Sequence, residues 1–218
     1  MDKKLKEKLL SMSEEHFEKY IGFTEEKWRF IKAQLSNREL AAPAIVNSSA
    51  PLFCVKSLVS NTGKAGGEIT IDQYLGRTLA LIFGSYTCPI FRSHTKRINE
   101  VYRELRKEIA FLCIYVYEMH PLDGWMIPVN LKDDVIFNQP TTLAQRAAIA
   151  NIWRTKQSIS MDIALDDMNN TTDSLYAGSP ERLYVINGNG IITYRSPEGP
   201  FDDSFVEEWY RYIKQELK

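Results

Sequence analysis

The sequence predicts an α/β fold with a mixed central sheet, on three observations. Short apolar runs, TLALIFGS, AFLCIYVYE and MDIALDD, recur along the chain with stretches of helical periodicity between them. The first two are unbroken rather than alternating, as in strands covered on both faces. An Asn-Gly-Asn-Gly segment separates RLYVI from IITYR, as a turn separates the arms of a hairpin. The βαβ units require parallel pairing, and the hairpin adds antiparallel strands at one side.

The chain of 218 residues has room for one full core and an extension. Residues 1–40 read as a helical extension and 41–218 as the α/β domain. Within the extension, Leu5, Leu9 and Met12 share a helix face, Phe17, Tyr20 and Ile21 extend an apolar side, and Trp28, Ile31 and Leu35 form a second stripe. Thr24 before Glu25 and Glu26 is a capped helix start. These stripes pack against their own domain, or alternatively form a docking surface or homodimer contact.

Residues 36–51 read as a connector rich in Ala, Ser, Asn and Pro. Then follow a short strand (LFCVKSL), a turn (NTGKAGGE) and the buried strand TLALIFGS. Residues 89–108 carry Phe91, Ile98, Tyr102 and Leu105 on one side of a helix. AFLCIYVYE is the next strand, TTLAQRAAIANIWRTKQ a helix, and MDIALDD a third strand. After the hairpin, Asp202 and Asp203 cap a last helix. That order matches the thioredoxin-like fold, in which chemistry gathers at the carboxyl ends of the parallel strands.

Composition narrows the function. With 27 basic and 28 acidic residues and a net charge of −1, there is no electrostatic case for nucleic acid or an anionic membrane as partner. No stretch approaches the ~20 apolar residues of a membrane helix. MDKKLKEKLLSMSEEHF carries charges where a signal peptide has its apolar core, so the chain reads as cytoplasmic. Cys54, Cys88 and Cys113 lie far apart with no CxxC pair, and the three histidines show no ligand spacing. Neither a disulfide framework nor a metal site is expected.

FGSYTCPIF, residues 83–91, takes a strand into a helix through Cys88. Pro89 suits the first helical turn, which places Cys88 at the N-cap. The positive helix end favours a thiolate there, with Ser85 and Thr87 as further hydroxyl donors, so its pKa is expected to fall. A buried cysteine filling apolar space is the alternative, and it is the reading given to Cys54 and Cys113. Position 91 is Phe, so a local dithiol is absent. Cys88 then needs an external thiol, or Cys54 or Cys113 if the fold brings one close.

YVYEMHPLDGW, residues 115–125, leaves the next parallel strand on the same side. His120 is an acid–base candidate, and Glu118 the group that would orient it and hold its positive form. The plainer reading is a turn set by Pro121 and Gly124, with Asp123 and Glu118 satisfying local amides. His94 and His16, on amphipathic helices, read as surface residues.

The two segments together resemble the iodothyronine deiodinases. FGSYTCPIF is similar to that family's active-site turn, including Tyr86, with cysteine where the animal enzymes carry selenocysteine. YVYEMHPLDGW resembles its Glu-x-His-Pro-x-Asp-Gly-Trp signature, ending in Trp125, and PERLYVINGNGIITYRSPEGP its last strand pair.

The resemblance covers roughly residues 50–217 and implies a reductive thiol enzyme. Cys88 would attack a soft electrophile, such as iodine on a small-molecule aromatic substrate. Ser85, Glu118 and His120 would surround the sulfur, and Glu118 and His120 would deliver the proton. No bound cofactor is implied, only an external reductant such as thioredoxin or glutathione. Two positions depart from the family: Pro140 stands where it has a second histidine, and Glu198 where it has an arginine.

Two other functions compete. Ser85 lies three residues before Cys88, as in peroxiredoxins, and Arg182 lies in the strand from which those peroxidases supply a thiolate-stabilising arginine. Arg182 alternatively pairs with Glu181 or Asp167 at the surface. Pro180, where thioredoxin folds carry a cis-proline, reads as an ordinary trans residue. The remaining alternative is a redox sensor or binding module without turnover.

Overall fold

The computed structural model describes residues 3–22, 24–60 and 62–217. Its first elements are three helices, α1 (Lys3–Leu10), α2 (Glu14–Tyr20) and α3 (Glu25–Ala41). Strands β1 (Cys54–Leu58) and β2 (Ala65–Thr70), a 3-10 turn (Ile71–Tyr74) and β3 (Leu79–Gly84) follow. Next come α4 (Pro89–Leu105), β4 (Ala110–Tyr115), α5 (Pro128–Lys132), α6 (Leu143–Lys156) and β5 (Ile163–Leu165). The chain continues through α7 (Thr171–Tyr176), β6 (Glu181–Ile186), β7 (Ile192–Arg195) and α8 (Asp203–Glu216).

The strands form one seven-stranded sheet in the order β2-β1-β5-β4-β3-β6-β7. The three central strands β5, β4 and β3 run parallel, and β6 and β7 add antiparallel on one side, β1 and β2 on the other. This is the mixed sheet the apolar runs predict.

Both faces are covered, which explains why β3 is apolar at every position. Ala80, Ile82, Cys113, Tyr115, Leu183 and Val185 share one core with residues of α4, α6 and α8, among them Phe91, Trp153 and Trp209. Leu79, Leu81, Phe83, Ile114 and Tyr184 share the other with Ala44, Phe53, Ile71 and Tyr176. A third cluster joins Leu9 and Phe17 of the N-terminal helices to Met126 and Leu131. The stripe on α1 therefore packs against its own domain.

Several elements depart from the expectations. The N-terminal segment holds three helices, and α3 continues to Ala41 into the stretch read as a connector. Part of the segment read as a turn is β2: Gly66 lies so close to β1 that a Cβ would meet Ser57 Oγ at 2.5 Å. Cys54, read as a buried filler, is exposed. Helices α5 and α7, of 5 and 6 residues, are too short to register as periodicity. The Ser179–Pro180 peptide is cis, not trans. Among the described residues, no helix is long and apolar enough to cross a membrane.

The last turn of α3 is fastened to the sheet by ions. Arg38 pairs with Asp173 at 2.6 Å, and Glu39 Oε2 accepts from Arg182 at 2.6 Å and Arg195 at 2.8 Å. Arg182 is 1% exposed, so removing its counter-ion strands a buried charge. Glu39→Ala is expected to lower unfolding stability by about 3 kcal/mol in denaturant titration, and Glu39→Gln by less, because the amide still accepts a hydrogen bond.

Candidate active site

Cys88 caps α4, with Pro89 as the first helical residue. It stands beyond the carboxyl end of β3, beside the segment that leaves β4, because Gly84 and Tyr115 are register partners. The two loops are stitched together by the side chains the sequence singles out. Glu118 Oε2 accepts from the Thr87 amide at 3.1 Å, and its Oε1 accepts from the Tyr115 hydroxyl at 2.5 Å. The Tyr115 oxygen in turn accepts from the Tyr86 amide at 3.0 Å. Ser85 Oγ accepts from the Met119 amide at 3.3 Å, and Thr87 Oγ1 from the His120 amide at 3.1 Å.

Three residues that sequence reasoning passed over hold the cysteine turn from below. Asn130 of α5 donates to the Thr87 carbonyl at 2.8 Å. Arg92 of α4 donates to the Tyr86 carbonyl at 2.9 Å and to Asn130 Oδ1 at 2.8 Å, and pairs with Asp133 at 2.6 Å. Gln139 brackets Glu118 by accepting from its amide and donating to its carbonyl, both at 2.9 Å. Asp123 accepts from the Gln139 amide at 2.8 Å, the local turn role expected of it. An arginine one turn after the cysteine was the only signal of this support visible in the sequence.

The electrostatics differ from expectation at Cys88. The thiol is 2% exposed, and burial first, then the charge of Glu181, push its pKa up to about 12. The amides of Phe91 and Ile90 at the helix end act in the expected downward direction, and the charge of Arg92 helps them, but desolvation outweighs both. Cys88 is thus a protonated thiol at neutral pH in this conformation.

His120 is also not the charged group expected. Burial lowers its pKa to about 4, and its Nδ1 lies 3.0 Å from the Trp125 carbonyl. A carbonyl only accepts, so Nδ1 carries the proton and Nε2 the lone pair. Trp125 packs edge-on against the imidazole at 4.3 Å. Glu118 does not hold the imidazole; its carboxylate is engaged by Thr87 and Tyr115, and burial raises its pKa.

Arg182 is not beside the cysteine. It points to the opposite face of the sheet from Leu183, donating to Ala177 O, Ser196 O and Glu39, and the arginine acting on Cys88 is Arg92. One of the two residues that favoured a peroxidase is thereby removed from the site. His16 lies at the surface as expected. His94 does not: it is 2% exposed, between Glu181 and Asp203.

Beside Glu118 opens a cleft of about 410 Å³. One wall is α3, through Ile31, Leu35 and Arg38; Tyr117, Trp125, Pro140 and Met168 complete the apolar part. Trp28 packs against Trp125 with ring centroids 4.7 Å apart and the planes tilted by 53°. Cys88 does not line this cleft. Among the described residues, no cluster of His, Cys, Asp and Glu could hold a metal ion.

Two predictions follow from this geometry. Asn130 is fully buried, so Asn130→Ala leaves the Thr87 carbonyl and an Arg92 N–H unpaired, and is expected to cost about 2–3 kcal/mol in unfolding experiments. The depressed pKa of His120 stabilises the fold above its ordinary value of 6.5, and that stability is lost as pH falls through about 4. His120→Gln is therefore expected to flatten the stability–pH curve between 6.5 and 4, where the wild type loses about 3 kcal/mol.

Comparison with known proteins places these features in a family. The model of the family described as iodothyronine deiodinase matches residues 30–215. Human thyroxine 5-deiodinase is 32% identical over 143 residues, covering 65% of this chain and 45% of the human protein. Type I iodothyronine deiodinase of Xenopus laevis is 34% identical over 161 residues, 72% of this chain and 59% of the frog protein. The chain spans about half the length of the relatives it matches.

Among solved structures, a Chlorobium tepidum protein described as a thiol:disulfide interchange protein DsbE superposes with a TM-score of 0.55 at 14% identity, over 80% of this chain and 99% of that one. The thioredoxin domain of a thiol-disulfide oxidoreductase from Bacteroides vulgatus gives 0.52 at 12% identity, over 80% and 99%. These likenesses show the thioredoxin-like fold. With the cysteine turn, the Glu-His loop and the family match in agreement, the chain belongs to the iodothyronine deiodinase family.

Proposed function

We propose that the protein is a thiol oxidoreductase that removes halogen reductively from an aromatic substrate, with Cys88 as nucleophile. The observation that carries this reading is the joining of the Cys88 turn to the Glu118–His120 loop, at the carboxyl ends of β3 and β4, by the Glu118 carboxylate.

In the step proposed for an iodinated ring, the Cys88 thiol gives up its proton and its sulfur bonds to iodine as the carbon–iodine bond breaks. The carbon keeps that electron pair and takes a proton. An external thiol then attacks the sulfenyl iodide, releasing iodide and leaving a mixed disulfide. A second thiol frees Cys88 and departs with the first as a disulfide, so the substrate gains the two electrons the thiols lose.

Each group has a part in that sequence. Glu118, held towards its neutral form by burial, connects through Tyr115 and Thr87 to the cysteine turn and supplies the proton. His120 offers a neutral Nε2 as acceptor for a substrate hydroxyl. Ser85, Tyr86 and Thr87 hold the turn by their backbone and hydroxyl bonds rather than by charge. The cleft walls of Trp125, Tyr117, Leu35 and Met168 suit an aromatic ring.

Pro140 and Glu198 stand where the family has histidine and arginine; of the two arginines that line the cleft, Arg38 pairs with Asp173, and Arg146 donates to the carbonyls of Asp166 and Asp167. Cys54 lies three strands from β3, roughly 14 Å away in a sheet, too far for a disulfide with Cys88. Cys113 is fully buried and its thiol pushed upward by burial. Resolution therefore falls to an external thiol.

Because Cys88 is 2% exposed and does not line the cleft, attack requires the cysteine turn to open. The test supplies a dithiol reductant and follows iodide release from an iodothyronine, with loss of hydrogen peroxide in a parallel arm. Cys88→Ser is expected to abolish iodide release, by on the order of 10³-fold or more, and Glu118→Gln to lower it about 10²-fold. Iodide release that survives Cys88→Ser, or Cys88-dependent peroxide loss without any iodide release, would sink the proposal.

A further inference from the structure

His94 lies on α4, six residues after Cys88, and has no part in the chemistry described above. Its ring is stacked at 5.3 Å and 11° on Phe201 and is 2% exposed. Both nitrogens face carboxylates: Nδ1 is 3.0 Å from Glu181 Oε2, and Nε2 is 3.1 Å from Asp203 Oδ1. A neutral imidazole has one N–H and satisfies only one of these acceptors. The imidazolium satisfies both.

Glu181 is the link to the cysteine. It is the first residue of β6, register partner of Gly84, which ends β3 four residues before Cys88. It shares a face of β6 with Leu183 and Val185, which pack in the same core as Cys88. The carboxylate is 1% exposed and pinned in place: Gly199 approaches so closely that a Cβ there would meet Glu181 Cγ at 2.5 Å. Glu181 is the charge that opposes ionisation of Cys88 most strongly.

We propose that His94, as an imidazolium between Glu181 and Asp203, is a positioning residue that neutralises Glu181 so that Cys88 can lose its proton. Through Asp203, whose side chain is 91% exposed, the imidazolium also meets solvent, which gives it a route for gaining and losing that charge. This inference rests on Cys88 acting as the reactive thiol.

The charged groups around the dyad are few. Glu181 faces His94 from β6, and Asp203 and Asp202 face it from the start of α8. Cys88 itself faces Glu181 and Arg92. Lys96, Arg97, Glu100 and Glu207 share the groove that Asp203 lines. Burial pulls the His94 pKa down, but Glu181, Asp203 and Asp202 outweigh it and leave it raised. Below that pKa Glu181 has its counter-charge; as pH rises through it the counter-charge is lost and Glu181 works against the thiolate.

The experiment reads Cys88 directly, without turnover. In the full chain carrying Cys54→Ser, which removes the exposed thiol, alkylation of Cys88 by iodoacetamide is followed by peptide mass spectrometry across pH. Glu181→Gln is expected to move the Cys88 profile to lower pH and His94→Gln to higher pH, each giving on the order of a tenfold change in rate per unit moved. Asp203→Asn, a surface change, is expected to move it upward by less.

A folded Glu181→Gln protein with an unmoved profile, or a His94→Gln profile at or below the wild type, overturns the proposal. Should the buried variants not fold, Asp203→Asn decides alone, and an unchanged profile overturns it. Absent deiodination would defeat the proposed function but would leave these alkylation profiles able to support or refute the role of His94.

Discussion

The buried carboxylate of Glu118 is the constraint around which the site is arranged. Two parallel strands end side by side, and their departing backbones leave amides that water cannot reach. Glu118 takes the Thr87 amide on one oxygen and the Tyr115 hydroxyl on the other, while that hydroxyl takes the Tyr86 amide. One side chain thus fixes the angle between the cysteine turn and the histidine loop. Replace it by an apolar group and both loops lose their common anchor, because a buried polar group left without a partner is costly.

The support beneath this contact is equally specific. Arg92 and Asn130 bind the carbonyls of Tyr86 and Thr87, so the turn is held from both its donor and acceptor sides. α3 reaches the same region from outside, fastened by Glu39 to Arg182 and Arg195 and resting Trp28 on Trp125. Helix α3 is therefore part of the cleft wall.

What the sequence disclosed follows from the range of the interactions involved. Strand and helix order came through because apolar runs and the Asn-Gly turn are local signals. The N-cap position of Cys88 was legible from Pro89 for the same reason. The acidity of Cys88 was not, because the helix end is a local feature whereas desolvation depends on the assembled core. His94 looked like a surface residue on an amphipathic helix; its partner Glu181 is 87 positions away. Arg182 was placed on the right strand but its face was left open, since an alternation of two cannot be phased without neighbours.

A thiol that is both buried and protonated at rest is a poor target for the oxidants and electrophiles that a cell contains. Over-oxidation to sulfinic and sulfonic acids tracks thiolate character and exposure, and Cys88 shows little of either. Selenium would be ionised in such a turn far more readily than sulfur. A cysteine held this way trades reactivity of the resting thiol for chemical durability.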